Sequence, residues 1–492
     1  MRRRPNIVLF MSDDQGAWAQ GCAGNPEVRT PAQDRLAASG TRFSSFFCAS
    51  PVCSPARATF LTGRIPSQHG VMDWISVGNL QDPQGEWSWS RQPDRAIEYL
   101  KGMPGYTDHL AREGYTCALV GKWHLGDSAR PQKGFSWWFP HAWGGSPYYG
   151  APMVRNGAPY RETRYVTEAI TEGALEFLAS PAAQGGEGGP FYLSVHYTAP
   201  HSPWDRNNHP HDLYDSYRSG CAFTATPDEP PHPWQSPTAP QGRGEARKEL
   251  LAGYYAAISA MDAGLARIVE KVGAMGIREE TLLVFTSDNG MNMGHHGIWG
   301  KGNGTFPLNM YDTSVKVPFI ASLPGTIPEG RVSDALVSQY DWMPTLLDLL
   351  GIEAPGLDRL PGKSFAPILC GTEARGGDAV VVYDEYGPVR MVRTRDWKYV
   401  HRYPYGPHEL YHLARDPEER VNLHDGPAEH PEAAKKAVEL KATLDKWFAR
   451  YADPARDGSR EGVTGFGQKD LAGPAGGGRS AWEPRAASGT PK

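Results

Sequence analysis

The sequence predicts an α/β fold: a mostly parallel central sheet flanked by helices, followed by a smaller C-terminal α+β domain. Short apolar runs bounded by turn residues indicate buried strands, and they recur at residues 6–12, 115–120, 191–196, 281–286 and 315–321. Helical patterns lie between several of these runs. Strands that alternate with helices form parallel sheets covered on both faces, and ligands bind such sheets at the carboxyl ends of the strands.

Four helices are predicted before residue 375. The first covers residues 31–39, with Thr30 as its cap. The second follows Cys53, and another covers residues 341–350. The longest covers residues 247–272, where apolar side chains recur at intervals of three and four and form a buried stripe: Leu250, Leu251, Tyr254, Ile258, Met261, Leu265, Ile268 and Val272.

Two long stretches, 72–104 and 202–245, lack periodicity and are predicted to be ordered surface loops. Beyond residue 375 the pattern changes to three short strands and a helix near 428–451. We therefore divide the chain into a large α/β domain (1–374), a small sheet-plus-helix domain (375–455) and a tail (456–492), which we expect to be disordered because it has no apolar pattern.

The composition is that of a globular protein. Of 492 residues, 40% are hydrophobic and 21% charged, with a formal net charge of −5. Because no long basic run is present, we expect neither a nucleic-acid nor a membrane partner. No apolar run reaches the roughly 18 residues of a membrane span. Two observations favour a cytoplasmic location. The chain has six cysteines but no CxxC pair. Its first apolar run ends in two aspartates instead of a signal-peptide cleavage site.

Acidic pairs follow two of the predicted strands. Asp13 and Asp14 come directly after the first, and Asp288 and Asn289 follow the strand at 281–286. If these side chains converge at one edge of the sheet, their charges require a cation, and oxygen ligands suit a hard ion such as Ca²⁺. The alternative is that both pairs are ordinary turn residues.

The segment that begins at Cys53 predicts an anion site. Pro55 suits a first helical turn, and Arg57 lies four residues after Cys53, so thiol and guanidinium face the same way at the positive end of a helix. A helix that merely starts with a buried cysteine would explain Cys53 and Pro55 but would leave Arg57 and Arg64 unexplained.

The run Cys53-x-Pro55-x-Arg57, followed by Thr62-Gly63-Arg64, resembles the signature of the formylglycine-dependent sulfatases, whose cysteine is converted after translation to an aldehyde. The resemblance extends from Pro5 to Pro417. It implies an alkaline-phosphatase-like fold, a formylglycine at Cys53 and a formylglycine-generating maturation enzyme as a partner.

The resemblance also implies the residues of the site. It places one divalent ion, Ca²⁺ or Mg²⁺, on the oxygens of Asp13, Asp14, Asp288, Asn289 and the modified Cys53. The catalytic residues that it implies are Cys53, Arg57, Lys122, His124, His201 and Lys301. In this interpretation one hydroxyl of the hydrated aldehyde attacks sulfur and the other later expels sulfate. His201, alone or with Lys301, protonates the leaving oxygen and His124 deprotonates the second hydroxyl, although these roles could be exchanged.

The predicted function is hydrolysis of a sulfate monoester, with two alternatives. A phosphonate monoester or phosphodiester hydrolase of the same superfamily would use similar machinery. A catalytically dead relative that binds sulfated glycans would have lost the cysteine, a carboxylate or the histidines, and none is lost.

Aromatic residues indicate a sulfated saccharide or oligosaccharide, because indole rings suit the apolar faces of sugars. The residues expected to shape the pocket are Asp73, Trp74, Trp204, His296 and Trp299. Further aromatic residues cluster nearby in the sequence: Trp87, Trp89, Trp137, Trp138, Trp143, Tyr148 and Tyr149.

Overall fold

A computed structural model describes residues 4–81, 95–183, 189–373, 376–384, 388–424, 431–460 and 467–483. The strands in these ranges are β1 (Asn6–Ser12), β2 (Thr41–Phe43), β3 (Phe46–Phe47), β4 (Thr116–Lys122), β5 (Phe135–His141), β6 (Ala151–Arg155), β7 (Ala158–Glu162), β8 (Phe191–His196), β9 (Thr281–Ser287), β10 (Asn292–Met293), β11 (Trp299–Gly300), β12 (Phe319–Ser322), β13 (Arg331–Ser333), β14 (Val337–Ser338), β15 (Ala379–Asp384), β16 (Val389–Thr394), β17 (Trp397–Arg402) and β18 (Glu409–His412).

The α-helices in the same ranges are α1 (Pro31–Ala38), α2 (Cys53–Thr62), α3 (Pro66–His69), α4 (Tyr106–Arg112), α5 (Val166–Ala179), α6 (His211–Gly220), α7 (Gly244–Ala274), α8 (Asp312–Val315), α9 (Trp342–Leu349), α10 (Ala366–Leu369) and α11 (Pro431–Tyr451). Among the described helices none is long and apolar enough to cross a membrane.

The large sheet has the strand order β13-β2-β12-β9-β1-β8-β4-β5-β6-β7 within the described residues. Its middle strands, from β9 to β5, run parallel. Residues 7–10 of β1 are fully buried, as a parallel strand covered by helices on both faces requires. This arrangement confirms the predicted α/β fold.

One predicted strand is wrong in its bounds. The apolar run 315–321 was expected to form one interior strand, but α8 occupies its start and β12 begins only at Phe319, antiparallel to β9. Pro318 explains the late start, because proline has no N–H to donate to a neighbouring strand. The predicted loop 202–245 also contains α6, a short helix whose Tyr214 and Tyr217 are its buried residues.

The strands β15 to β18 form an antiparallel sheet, against which α11 packs through Leu440, Leu444 and Phe448. The sheet begins at residue 379, shortly after the expected domain boundary at 375. It is joined to the large domain by Tyr383, whose N–H donates to the Ala49 carbonyl over 2.8 Å.

The expectation of a disordered tail is wrong for residues 467–483, which pack against the large domain. Gln468 is fully buried, and Ala472, Ala481 and Trp482 belong to the main hydrophobic core. A single tryptophan in a glycine- and alanine-rich stretch has no periodicity, so the sequence pattern cannot reveal that it is buried. Residues 461–466 and 484–492 lie outside the described residues.

Candidate active site

Three carboxylates converge at the carboxyl ends of β1 and β9. The two strands are in register, with Ser12 opposite Ser287, so the acidic residues that follow them lie side by side. Carboxylate oxygens of Asp13, Asp14 and Asp288 lie within 4.8 Å of one another, and all three side chains are buried. The Asp14 N–H donates to Asp288 Oδ1 over 3.1 Å, which joins the two strand ends.

Three cations face these carboxylates. Arg57 Nε donates to Asp288 Oδ2 over 2.9 Å. Lys122, the last residue of β4, pairs with Asp13 through its ammonium group. Lys301 Nζ lies 2.5 Å from Asp14 Oδ1. Each carboxylate therefore has a cation as its partner, which offsets part of the cost of burying so much charge.

Burial and charge act in opposite directions on the carboxyl pKa values. Burial raises the pKa of Asp13 to about 6, although Lys122 opposes the shift. Burial also acts to raise the pKa of Asp288, but Arg57 and then Lys122 outweigh it and the net shift is downward. The cluster therefore keeps anionic oxygens that can hold a cation.

Cys53 is the first residue of α2 and is 3% exposed. Its Sγ lies 2.7 Å from Lys301 Nζ and 3.4 Å from Asp13 Oδ1. Burial raises the pKa of the Cys53 thiol, and the Asp13 carboxylate raises it further. The unmodified thiol is therefore protonated at neutral pH and is a weak nucleophile.

Two histidines flank this group of charges. His124 Nε2 lies 3.1 Å from the Ile75 carbonyl, and burial holds the pKa of His124 well below its usual value. His201 Nδ1 lies 2.8 Å from the Ser202 carbonyl, while its Nε2 lies 3.7 Å from Asp14 Oδ2. A neutral His124 and a partly exposed His201 are suited to proton transfer.

The backbone of the site contains two strained positions. Asp14 has φ of +66° and His124 has φ of +54°, conformations that non-glycine residues rarely adopt. Gly144 leaves the space that the His124 ring occupies, because a Cβ there would lie 2.1 Å from the ring. Such strain is typical of residues whose orientation serves function.

Three buried polar atoms of the site have no hydrogen-bond partner among the described residues. They are Asn289 Oδ1, His124 Nδ1 and Arg57 Nη2, the last of which lies 3.8 Å from Asp13 Oδ1. Buried polar atoms are almost always paired, so an orphaned acceptor and an orphaned donor in one site indicate room for a cation and for an additional oxygen. The acidic cluster thus fits a metal ion by its donor set.

A cavity of about 1190 Å³ opens above these residues. Asp14, Cys53, His124, His201 and Lys301 lie at its base. Six aromatic side chains from separate parts of the chain also line it: Trp74, Trp143, Trp204, Trp234, Trp299 and Phe306. Neutral polar residues complete it, among them Asn79, Gln235, Asn303 and Thr305.

The cavity contains three of the five predicted pocket residues. Trp74, Trp204 and Trp299 line it. Asp73 does not, because it is fully buried and accepts a hydrogen bond from the Trp74 N–H over 2.6 Å. His296 does not either, because its ring stacks on that of Tyr311 at 3.7 Å.

Of the other aromatic residues singled out in the sequence, Trp143 lines the cavity. Trp137 packs on Phe177 and Trp138 on Trp123, and Tyr148 and Tyr149 are likewise outside the lining. Trp87 and Trp89 lie outside the described residues. Sequence reasoning missed Trp234, and its only signal was the long loop 202–245 that contains it.

Comparison with known proteins gives one consistent result. A family model described as Sulfatase matches residues 5–352, and one described as N-sulphoglucosamine sulphohydrolase, C-terminal, matches residues 294–447. The chain is 30% identical to arylsulfatase A from Homo sapiens, with 92% of each chain covered. It is 28% identical to an N-acetylglucosamine-6-O-sulfatase from Bacteroides thetaiotaomicron, with 92% of this chain and 87% of the relative covered.

A solved structure, described as a complex with its substrate D-glucosamine-2-N,6-O-disulfate, shares the fold. It superposes with a TM-score of 0.72 at 23% identity, and the match covers 92% of this chain and 99% of that one.

Proposed function

This chain belongs to the sulfatase family and is a sulfuric ester hydrolase, and we propose that its substrate is a sulfate monoester on a saccharide. One observation carries the proposal: the cluster of carboxylates and cations around Cys53 lies at the base of a cavity that tryptophan side chains also line. The base suits a sulfate group, and indole rings suit the apolar face of a sugar. The relative named as an N-acetylglucosamine-6-O-sulfatase supports a sugar substrate.

We assign a divalent cation, Ca²⁺ or Mg²⁺, to the acidic cluster. Asp13, Asp14, Asp288 and Asn289 would hold it through oxygen atoms, and the orphaned Asn289 Oδ1 supports this assignment. When bound, the ion would withdraw charge from the sulfuryl oxygens. Adding Ca²⁺ to chelator-treated protein is expected to raise its Tm, and the rise should be smaller in the Asn289→Ala variant.

We propose that a maturation enzyme converts Cys53 to formylglycine. The raised pKa of the unmodified thiol argues against thiolate chemistry. The orphaned Arg57 Nη2 would gain a partner from an additional oxygen at residue 53. A hydrated aldehyde supplies two hydroxyls on one carbon, one to attack sulfur and one to expel the sulfate.

The chain's own side chains bind the sulfate group and move protons. Arg57, Lys122 and Lys301 neutralise charge on its oxygens. His201 presents Nε2 towards Asp14, where it would protonate the leaving oxygen, with or without Lys301. His124 would accept a proton in the step that releases sulfate.

The test is release of inorganic sulfate from a panel of sulfated mono- and disaccharides and one aryl sulfate. Mass spectrometry of the Cys53 peptide first confirms that the enzyme carries the aldehyde, and a Cys53→Ala variant is the control. Release from a saccharide, absent in the control, would establish the reaction and its linkage. Turnover of a phosphodiester or phosphonate ester without any sulfate release would instead identify the protein as a phosphodiester or phosphonate monoester hydrolase of the same superfamily.

A further inference from the structure

The C-terminal segment 467–483 is bound to a loop that enters the active site. Gln468 is fully buried. Its Oε1 accepts from the Met72 N–H over 2.7 Å, and its Nε2 donates to the Gly70 carbonyl over 2.9 Å. Its main chain forms a bridge beside Ile75, donating to the Trp74 carbonyl over 2.8 Å.

The same loop, residues 70–76, reaches the base of the cavity on its other side. Trp74 lines the cavity. The Ile75 N–H donates to Ser54 Oγ over 3.1 Å, which ties the loop to the helix that begins with Cys53. The Ile75 carbonyl lies 3.1 Å from His124 Nε2. The loop therefore lies between the C-terminal segment and two side chains of the site.

The Ile75 carbonyl determines which nitrogen of His124 can act as a base. Because a carbonyl only accepts hydrogen bonds, the Nε2 that faces it carries the proton in the neutral ring. The other nitrogen, Nδ1, then has a free lone pair, and it has no hydrogen-bond partner among the described residues. If the Ile75 carbonyl were displaced, Nε2 would lose its acceptor and this tautomer of His124 would no longer be fixed.

The segment is anchored firmly enough to hold the loop. Trp482 is 4% exposed and lies in the same hydrophobic core as Met72 and Ile75. Asp470 is also buried, and its Oδ2 lies 3.5 Å from Arg95 Nη2. Neither family model extends over this segment.

We propose that Gln468 is a positioning residue for the active site: the C-terminal segment holds the loop 70–76, and through it sets the place of Trp74 in the pocket and the tautomer of His124. This inference rests on the proposed sulfatase function on a saccharide. It also gives the segment a role in both substrate binding and turnover, since Trp74 and His124 serve different steps.

The test compares three variants of the full-length, aldehyde-bearing enzyme. Gln468→Met keeps the size of the side chain but removes its hydrogen bonds. Gln468→Glu keeps an acceptor for the Met72 N–H and removes the donor. Arg479→Met is the matched control, because Arg479 lies in the same segment, is half-exposed and contacts Gly476 and Asp470 rather than the loop.

In Gln468→Met we expect KM for the saccharide sulfate to rise and kcat to fall, each by roughly tenfold, because small displacements in a site are costly. Gln468→Glu should be intermediate and Arg479→Met unchanged. Amide hydrogen exchange in residues 70–79 should accelerate in Gln468→Met, measured by mass spectrometry. Unchanged kcat, KM and exchange in a folded Gln468→Met protein would overturn the inference.

The exchange measurement separates this inference from the proposed function. If the wild-type enzyme releases no sulfate, the proposed function fails. The positioning role is then decided by hydrogen exchange alone, and unchanged exchange in residues 70–79 of Gln468→Met would overturn it as well. If Gln468→Met does not fold, the same readouts in Gln468→Glu decide: slower turnover with faster exchange supports the proposal, and wild-type values overturn it.

Discussion

The base and the wall of the cavity differ in the residue types that form them and in the elements that carry those residues. The base consists of Cys53 and the buried, mutually paired charges around it, of which Asp13, Asp14, Lys122 and Asp288 lie at the carboxyl ends of parallel strands and Arg57 and Lys301 lie outside the large sheet. The wall includes six aromatic side chains from separate parts of the chain: Trp74, Trp143, Trp204, Trp234, Trp299 and Phe306. Strand register fixes the relative positions of the residues at the strand ends, whereas loops can vary independently. We therefore expect substitutions in the base to abolish turnover and substitutions in the wall to alter substrate binding by degrees.

The largest effect is expected for Asp288→Asn. The substitution removes the carboxylate that pairs with Arg57 at 2.9 Å and leaves a buried cation without its partner. Sulfate release should fall by about 10³-fold or more, and the Tm should fall as well. Asp262→Asn is the control, because Asp262 is a buried carboxylate that accepts hydrogen bonds from the backbone of α1 and does not line the cavity. Retention of a tenth of the activity in Asp288→Asn would contradict the description of the base.

His201→Ala is expected to have the next largest effect, and one that depends on the leaving group. A sugar alcohol needs a proton as it leaves, so turnover of a saccharide sulfate should fall by about 10²-fold. An aryl sulfate with an acidic phenol should lose much less. Equal losses for both substrates, measured as kcat, would assign His201 a role other than the acid.

Trp234→Ala tests the wall. Trp234 lines the cavity and its ring lies 5.1 Å from the Arg402 guanidinium. Loss of the indole face should raise KM for a saccharide sulfate by roughly tenfold, about 1.4 kcal/mol, with kcat unchanged. Trp138→Phe, at a tryptophan that packs away from the cavity on Trp123, is the control. A fall in kcat without a change in KM would contradict the expectation that the wall affects substrate binding and the base affects turnover.

The smallest effect is expected for His296→Asn. His296 stacks on Tyr311 and is outside the cavity, and its φ of +56° is one that asparagine tolerates better than most residues. Kinetic constants for any accepted substrate should stay within about twofold, because His296 is not among the residues that line the cavity. A substrate-dependent change larger than this would show that His296 contributes to the substrate pocket.

The sequence could predict the carboxylates of the base because their signals are local, whereas Lys122 and Lys301 are implied only by the family resemblance. Asp13 and Asp288 each follow an apolar run directly, and parallel strands bring their carboxyl ends to one edge. The wall could not be predicted in the same way. Trp234 and Phe306 come together only in the folded chain, through a hydrogen bond from the Phe306 N–H to the Trp234 carbonyl.

Two predicted pocket residues do not line the cavity, and for the same reason. Asp73 is adjacent to Trp74, but its side chain points into the protein and is fully buried, while Trp74 faces the cavity. His296 is close to Trp299 in sequence, but a left-handed backbone turns it towards Tyr311. Proximity along a chain does not determine the direction of a side chain, and neither residue lies in a regular element long enough for periodicity to reveal it.

The burial of α2 has a consequence for the proposed maturation of Cys53. Every residue of this helix is buried, and Cys53 lies between Asp13 and Lys301. Under the proposed conversion to formylglycine, a maturation enzyme would have to reach Cys53 before α2 packs into the domain, because the folded chain leaves this residue only 3% exposed. The yield of active protein would then depend on the rate of conversion relative to the rate of folding.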